Sequence, residues 1–308
     1  MKIVVTGASG GFGRNAAERL LERVPAEDLI LVTRDPRKLA DLRDRGIEVR
    51  EGDFDRPDGL VKAFTGGERM LLISTLDVGR RAEQHGRAFD AAARAGVGHI
   101  VYTSSDGAEP GNPAVIAPDH ATTENLLIEC GLDYTILRDS LYAEAVVGLM
   151  APAAVATGQF RSAAGNGRVG FITRGECVEC AVEVLTGDGH ANRTYRIANE
   201  RNWSLPEVAD LVAEACGVAV EYVDLTVAER DAELAAAGLP EHYTPGLFTV
   251  AFGASARDDI VTYEHGIREH WFGTTSRDVR TLIGRGPTPL PEVLSATRDV
   301  IMERSKLF

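Results

Sequence analysis

The sequence predicts an α/β protein: a doubly wound parallel sheet joined to a smaller C-terminal α+β region. Two observations carry that prediction. From the first residue onward, short apolar runs alternate with amphipathic helical stretches, the pattern of strands buried on both faces and joined by helical crossovers. After Leu141 that rhythm loosens, which marks a region of different, mixed construction.

Taken in order, "KIVVTG" reads as the first strand and "NAAERLLERV" as its helix. "LILVTR" is the second strand, followed by the helical spacing of "PRKLADLRDRG". The pairs "IEVREGDF" and "LVKAFTG", "RMLLIST" and "RRAEQHGRAFDAAARAG", "HIVYTSS" and "TTENLLIECG" continue the alternation, and "DYTILRD" closes it. Right-handed crossovers between such units wind a sheet in both directions from its first strand. Beyond Leu141, "GQFRSAAGNGRVGFI" reads as two extended pieces around a Gly-Asn-Gly turn. "ECVECAVEVLTG" and "RTYRIAN" form one more helix and strand that rejoin the main sheet. In "SLPEVADLVAEACG", Ser204 and Glu207 make a capping box and Gly217 ends the helix. Residues 229–269 read as short helices of a cover, and two helices around a Gly/Pro turn close the chain. The predicted division is therefore 1–145 with 172–198 for the sheet domain, and 146–171 with 199–308 for a smaller substrate-binding lid region.

With 44% hydrophobic and 26% charged residues in 308, the composition is that of a soluble globular protein. A net charge of −13 argues against nucleic acid, whose phosphates need a basic face. No apolar run is long enough to span a bilayer, and the first strand begins too early for a signal peptide. Cytoplasm is the expected location, as a monomer or homodimer. Four scattered cysteines imply no disulfide framework, and Cys177-x-x-Cys180 reads as two packed thiols on a helix. His265 and His270 are five apart and share no helix face, so no metal is expected.

The junction "TGASGGFGRN" carries chemistry. Gly7 permits a tight turn, Gly10 lets backbone approach a pyrophosphate, and Gly13 lets the helix pack on the strand. With Ser9, Gly11 and Phe12 they form a cradle whose helix N-terminus offers free N–H groups to an anion. Arg14, a cation in that first turn, implies an anion beside it. A dinucleotide-binding domain, the Rossmann fold, is the reading. The second strand ends in Arg34, with Lys38 close by, where a guanidinium suits a 2′-phosphate. NADP(H) is thus expected, with NAD(H) left open because Asp35 could reach a ribose. Asp53 and Phe54 would flank the adenine. Ser74, Thr75 and Leu76 would lie along the nicotinamide ribose, with Thr103 on the next strand end.

Reductases of this build usually carry Tyr-x-x-x-Lys after the fifth strand, the lysine lowering the tyrosine pKa. Here that helix reads "HATTE", with His120 and Glu124. The lysines are Lys2, Lys38, Lys62 and Lys306, so none lies where the mechanism needs one. A quinone removes the need: hydride delivery gives a delocalised anion that water protonates easily. Tyr142, Ser104 and His120 are the candidate donors, with His120 either a helix-start residue or a soft donor titrating near neutrality. Trp271, Tyr243, Phe248 and Phe252 are core residues or aromatic walls of a quinone slot.

The stretches "VTGASGGFG", "TRDPRK", "LLISTLDVGRRAEQH", "HIVYTSS", "DYTILRDSLYAE", "AAGNGRVGFITRGE" and "IGRGPTPLPE" resemble the NmrA-like group of atypical short-chain dehydrogenase/reductases, and within it the bacterial NADPH:quinone oxidoreductases. The resemblance implies that Gly7 to Phe12 and Arg34 hold the dinucleotide. It implies that Ser74 to Leu76 and the segment with Arg138, Ser140, Leu141 and Tyr142 surround its nicotinamide half, and that Arg174 faces the same cleft. It also implies an oxidoreductase for a quinone, polycyclic aromatic or polyketide substrate. The alternative is a non-catalytic NAD(P)-binding redox sensor, and a sugar-nucleotide epimerase ranks last.

Overall fold

The computed structural model describes residues 1–242 and 256–308. Its centre is a seven-stranded parallel sheet of β1 (Ile3–Val5), β2 (Leu29–Thr33), β3 (Glu48–Glu51), β4 (Arg69–Leu72), β5 (His99–Ser105), β6 (Asp133–Asp139) and β9 (Arg193–Ile197), in the order β3-β2-β1-β4-β5-β6-β9. The chain winds outward from β1 to β3, crosses back to β4, and winds the other way. The reversal opens a crevice between the carboxyl ends of β1 and β4, where ligands of such sheets bind.

Alternation along the strands explains the two layers. Ile3, Val5, Leu29, Leu31, Leu71, Val101 and Leu137 point to one face, against the helices Gly11–Leu20 and Arg174–Thr186. Val4, Ile30, Val32, Met70, Leu72, Ile100, Tyr102 and Ile136 point to the other, beneath Leu60–Phe64, Arg81–Ala95 and Ala117–Glu129. Successive residues of a strand face opposite sides, so a strand buried on both must be apolar throughout. The edge strands β3 and β9 are partly exposed and rich in charge, which discourages further pairing.

A second core gathers Phe160, Val169, Phe171, Trp203, Val208, Val212, Ile267, Phe272, Leu290 and Ile301. The two extended pieces and the turn between them are present, Gly167 N donating to Ala164 O at 3.1 Å, and each piece pairs elsewhere. β7 (Gln159–Ser162) pairs in parallel with β11 (Glu221–Asp224), and β8 (Arg168–Val169) pairs antiparallel with β10 (Trp203–Ser204). Gly165 turns the chain at φ +55°, and Gly167 serves a crossing of backbones: a Cβ there would sit 1.8 Å from Ile267 O. Two expectations change. "PRKLADLRDRG" is a 3-10 turn over Pro36–Leu39 and a short helix over Ala40–Asp44, and the chain closes with three short helices rather than two. The Ser204–Glu207 capping box is present and Gly217 ends its helix in the left-handed region. Cys177 and Cys180 are free, buried thiols. Among the described residues, no helix is long and apolar enough to cross a membrane.

Candidate active site

The turn after β1 is built as the glycines require. Gly7 has φ +61°, and a Cβ on Gly13 would lie 2.6 Å from Gly7 O and 2.7 Å from Ala8 Cα. The helix Gly11–Leu20 has Gly10 at its N-cap, no capping side chain and no acid in its first turn. Its leading N–H groups and the positive end of its dipole are left for an anion. Over this loop hangs Arg174, whose Nη1 is 3.9 Å from a Cβ on Gly11 and whose guanidinium stacks 5.1 Å above the Tyr142 ring. Among the described residues Arg174 has no carboxylate partner for its side chain. Ser9 Oγ and Thr33 Oγ1 tie the loop to β2 at 2.8 Å. Arg14 corrects an expectation: it pairs with Asp41 at 2.6 Å and donates to Lys38 O at 2.7 Å, so its charge is answered by the protein.

At the end of β2 the cations and the acid part company. Asp35 caps the following turn and accepts from the Arg37 backbone at 3.1 Å and from its guanidinium at 2.8 and 3.1 Å. Arg37 accordingly holds the Asp35 carboxyl below its usual range. Arg34 is exposed and, among the described residues, its guanidinium has no partner, while Lys38 is likewise exposed. Asp53 is engaged by the Asp55 backbone and by Arg56, and half-buried Phe54 packs edge-on to His85.

At the end of β4 the backbone is pinned from below. Ser74 N donates to Thr103 Oγ1 at 2.9 Å, Thr75 N to His85 Nε2 at 3.2 Å, and Thr75 Oγ1 to Gln84 Oε1 at 2.7 Å. Leu76 is then thrust out, 63% exposed, beside a recess of about 200 Å³ that it shares with Val78, Arg81, Asp258 and Asp259. Arg81, His85 and Gln84 were not singled out from the sequence. The apolar-and-charged run "GRRAEQH" contains them, but only the tertiary pairing shows their use.

The candidate donors are all committed to internal partners. Ser104 Oγ donates to Glu124 Oε1 at 2.6 Å, and Glu124 is the buried partner of Arg138 at 2.7 Å. Arg138 also meets Glu109 and Ala108 O, so its donors are used within the protein rather than turned to a nicotinamide. His120 is not a near-neutral titrating group. Burial, then the Arg81 charge, holds its pKa well below the usual imidazole value. Arg81 Nη1 donates to its Nε2, so Nδ1 carries the proton and donates to Tyr102 Oη at 2.8 Å. Tyr142 donates to Asp139 Oδ2 at 3.0 Å, and burial, then the Asp139 charge, raises its pKa well above the ordinary phenol value. Ser140 is buried with its Oγ unpartnered, so its side chain does not line the cleft, whereas Leu141 is half-buried. Trp271 packs at the second core, with Nε1 on Glu269. His265 pairs with that same acid. Tyr243, Phe248 and Phe252 lie outside the described residues.

A larger recess of about 530 Å³ lies at the amino ends of the strands, among Met1, Arg69, His99 and His190. It is at the wrong edge for a nucleotide, whose binding features all cluster at the carboxyl edge. A family model described as NAD(P)H-binding matches residues 7–148. Quinone oxidoreductase 2 of Escherichia coli (strain K12) is 36% identical over 293 residues, spanning 95% of this chain and 97% of that protein. The chain belongs to the NmrA-like family of atypical short-chain dehydrogenase/reductases. As a member, it is an NAD(P)H-dependent oxidoreductase. The crystal structure of Escherichia coli NADPH-dependent quinone oxidoreductase complexed with NADPH superposes with TM-score 0.87 at 34% identity, over 96% of this chain and 99% of that one. The Citrobacter sp. triphenylmethane reductase complexed with NADP(H) gives 0.85 at 32% identity, over 96% and 100%.

Proposed function

We propose that this NmrA-like oxidoreductase uses NADPH to reduce quinones or related polycyclic aromatic acceptors. The observation that carries the reading is that Ser104, His120 and Tyr142 are all turned to internal partners beside a nucleotide cleft that is otherwise built. An aldehyde or ketone reductase needs a donor poised at the alkoxide it makes. An acceptor whose reduced form is a delocalised anion takes its proton from water. The comparisons with a quinone oxidoreductase and a triphenylmethane reductase support conjugated aromatic acceptors, neither of which needs a protein acid when hydride arrives.

The residues fit the coenzyme. The uncapped helix at Gly10–Gly13 and the Arg174 guanidinium would hold the pyrophosphate. Arg34 and Lys38 would hold a 2′-phosphate, Asp53 and Phe54 would border the adenine, and Ser74 to Leu76 would lie along the nicotinamide ribose. When bound, the nicotinamide supplies a hydride. The protein's part is to hold donor and acceptor in contact and to exclude water from between them. Residues 1–145 with 172–198 would carry the nucleotide, and 146–171 with 199–308 the acceptor. The second core, with its own strand pairs β7–β11 and β8–β10, supports that division.

The test is NADPH oxidation, followed at the reduced-nicotinamide absorbance, against quinones, triarylmethane dyes, aldehydes and ketones. Turnover is expected with the first two classes and not with the last two. Reduction of simple ketones at comparable rates would overturn the reading, and tight NADPH binding without turnover on any acceptor would make the protein a sensor.

A further inference from the structure

The recess beside Leu76 is lined by a guanidinium, Arg81, that makes no ion pair among the described residues. Arg81 is the first residue of the helix Arg81–Ala95 and is only 7% exposed. A guanidinium buried to that extent is ordinarily paired with a carboxylate, because an isolated charge away from water is costly. Among the described residues, none lies within ion-pair distance of it. Its Nε donates to Thr75 O at 2.6 Å and its Nη1 to His120 Nε2 at 3.1 Å.

Neither contact supplies negative charge. His120 is held neutral, and His85, one turn along the same helix, is pushed down to about 3 by burial and then by Arg81. The acids nearby have other partners or are buried away from the guanidinium's hydrogen-bonding reach. Asp119 accepts from Gly79 N, and Asp258 pairs with His242 at 2.7 Å. Burial pushes the Asp259 carboxyl up, against the pull of Arg81. A guanidinium has five N–H donors, and these two bonds leave three. None of its nitrogens is sealed in the interior without a partner, and Arg81 lines the recess. The first turn of its helix has no capping side chain and adds a partial positive charge of the same sign.

We propose that Arg81 binds the acceptor, donating its unused N–H groups to a carbonyl oxygen and holding the negative charge that hydride delivery leaves there. The inference rests on the quinone-reductase reading and deepens it. The quinone gains two electrons and one hydrogen, and the oxidised nicotinamide is the other product. The hydroquinone monoanion stays on the guanidinium until a solvent proton completes it. Acceptors with an oxygen at the ring edge are therefore favoured over cationic dyes, which bring no developing anion to Arg81.

A phenol whose colour reports its ionisation, 4-nitro-1-naphthol, tests this without turnover. Bound to the wild type with NADP in place, its pKa is expected to fall by about one to two units, as beside an opposite charge. With Arg81→Met the shift should vanish, while NADPH binding measured by calorimetry is retained. In the same variant kcat/KM for 1,4-naphthoquinone should drop on the order of a hundredfold, the loss seen when a donor to a developing oxyanion is removed. Arg81→Lys, which keeps the charge, should restore most of the shift. If Arg81→Met does not fold, the wild-type titration and Arg81→Lys still decide. A wild type that reduces quinones but leaves the naphthol unbound or unshifted overturns the role of Arg81 alone. A wild type that reduces no quinone overturns the reading beneath it.

Discussion

Two cations at the carboxyl edge of the sheet, Arg34 and Arg174, have no carboxylate partner for their side chains among the described residues. Arg34 projects from the end of β2 and has no partner among the described residues, while its neighbour Asp35 is consumed by Arg37. That division favours a phosphate over a ribose hydroxyl as the group recognised there. Replacing Arg34 with Ala should weaken NADPH roughly tenfold to a hundredfold, the worth of one charge-assisted contact, and leave NADH nearly unchanged. Calorimetric titration with each coenzyme checks it, and equal weakening of both would remove the 2′-phosphate role. Arg34 was legible in the sequence because its place follows directly from strand and turn. The commitments of Ser104, Arg138 and Glu124 were not. They join side chains on β5, β6 and the intervening helix that only the folded sheet brings together, so a residue type promising a donor proved to be an internal strut. Arg81 was missed for the same reason, since an arginine's value depends on what fails to pair with it.

Among the elements, those with a strong local period were readable and those governed by long-range pairing were not. The strands β1, β2, β4 and β5 announce themselves because both faces are covered, and the Ser204 helix because its cap and its terminating glycine are local chemistry. The Gly-Asn-Gly turn was readable, but the partners of its flanking strands were not, since these are β10 and β11, far along the chain. Gly165 is explained by the turn, at φ +55°, but Gly167 by the backbone at Ile267, and nothing within the segment reveals the latter. The first helix gives the clearest test at this scale. A methyl on Gly13 meets backbone atoms of Gly7 and Ala8 that cannot rotate away. Gly13→Ala should therefore push the helix off the loop, destabilising the fold by about 1–3 kcal/mol as overpacking does. It should also cost coenzyme affinity beyond that seen with Gly11→Ala, where only the end of the Arg174 side chain is near. Thermal melting and coenzyme titration of the two variants, compared side by side, check both effects. Equal behaviour would mean that the close approach at Gly13 is unimportant.

For the molecule as a whole, the cleft and the core are joined at Asp139. This residue ends β6, is 5% exposed, and accepts from Tyr142, whose ring carries Arg174 above the glycine turn after β1. Burial drives its carboxyl up to about 7, against the hydrogen bonds from Tyr142 and Cys177. A carboxyl with a raised folded-state pKa holds a proton in the native protein over a range where the unfolded chain has already released it. Stability from this group is therefore complete below about pH 4, falls as pH rises, and is lost by about pH 7. The shift of roughly three units corresponds to a ceiling on the order of 4 kcal/mol. Asp139→Asn keeps an acceptor for the Tyr142 hydroxyl and cannot ionise. The stability of the variant minus that of the wild type should therefore grow more favourable between about pH 4 and pH 7 and level off above that, as read from urea denaturation at a series of pH values. A difference that stays flat across this window would mean that Asp139 is ionised in the native protein, answered by some positive charge nearer than Arg174. A difference of the opposite sign would mean that the carboxylate, not the acid, stabilises the floor of the cleft. The expected sign follows from the position of this one residue. Nothing within four residues of it in either direction carries a positive charge except Arg138, and that arginine is already bound to Glu124 and Glu109.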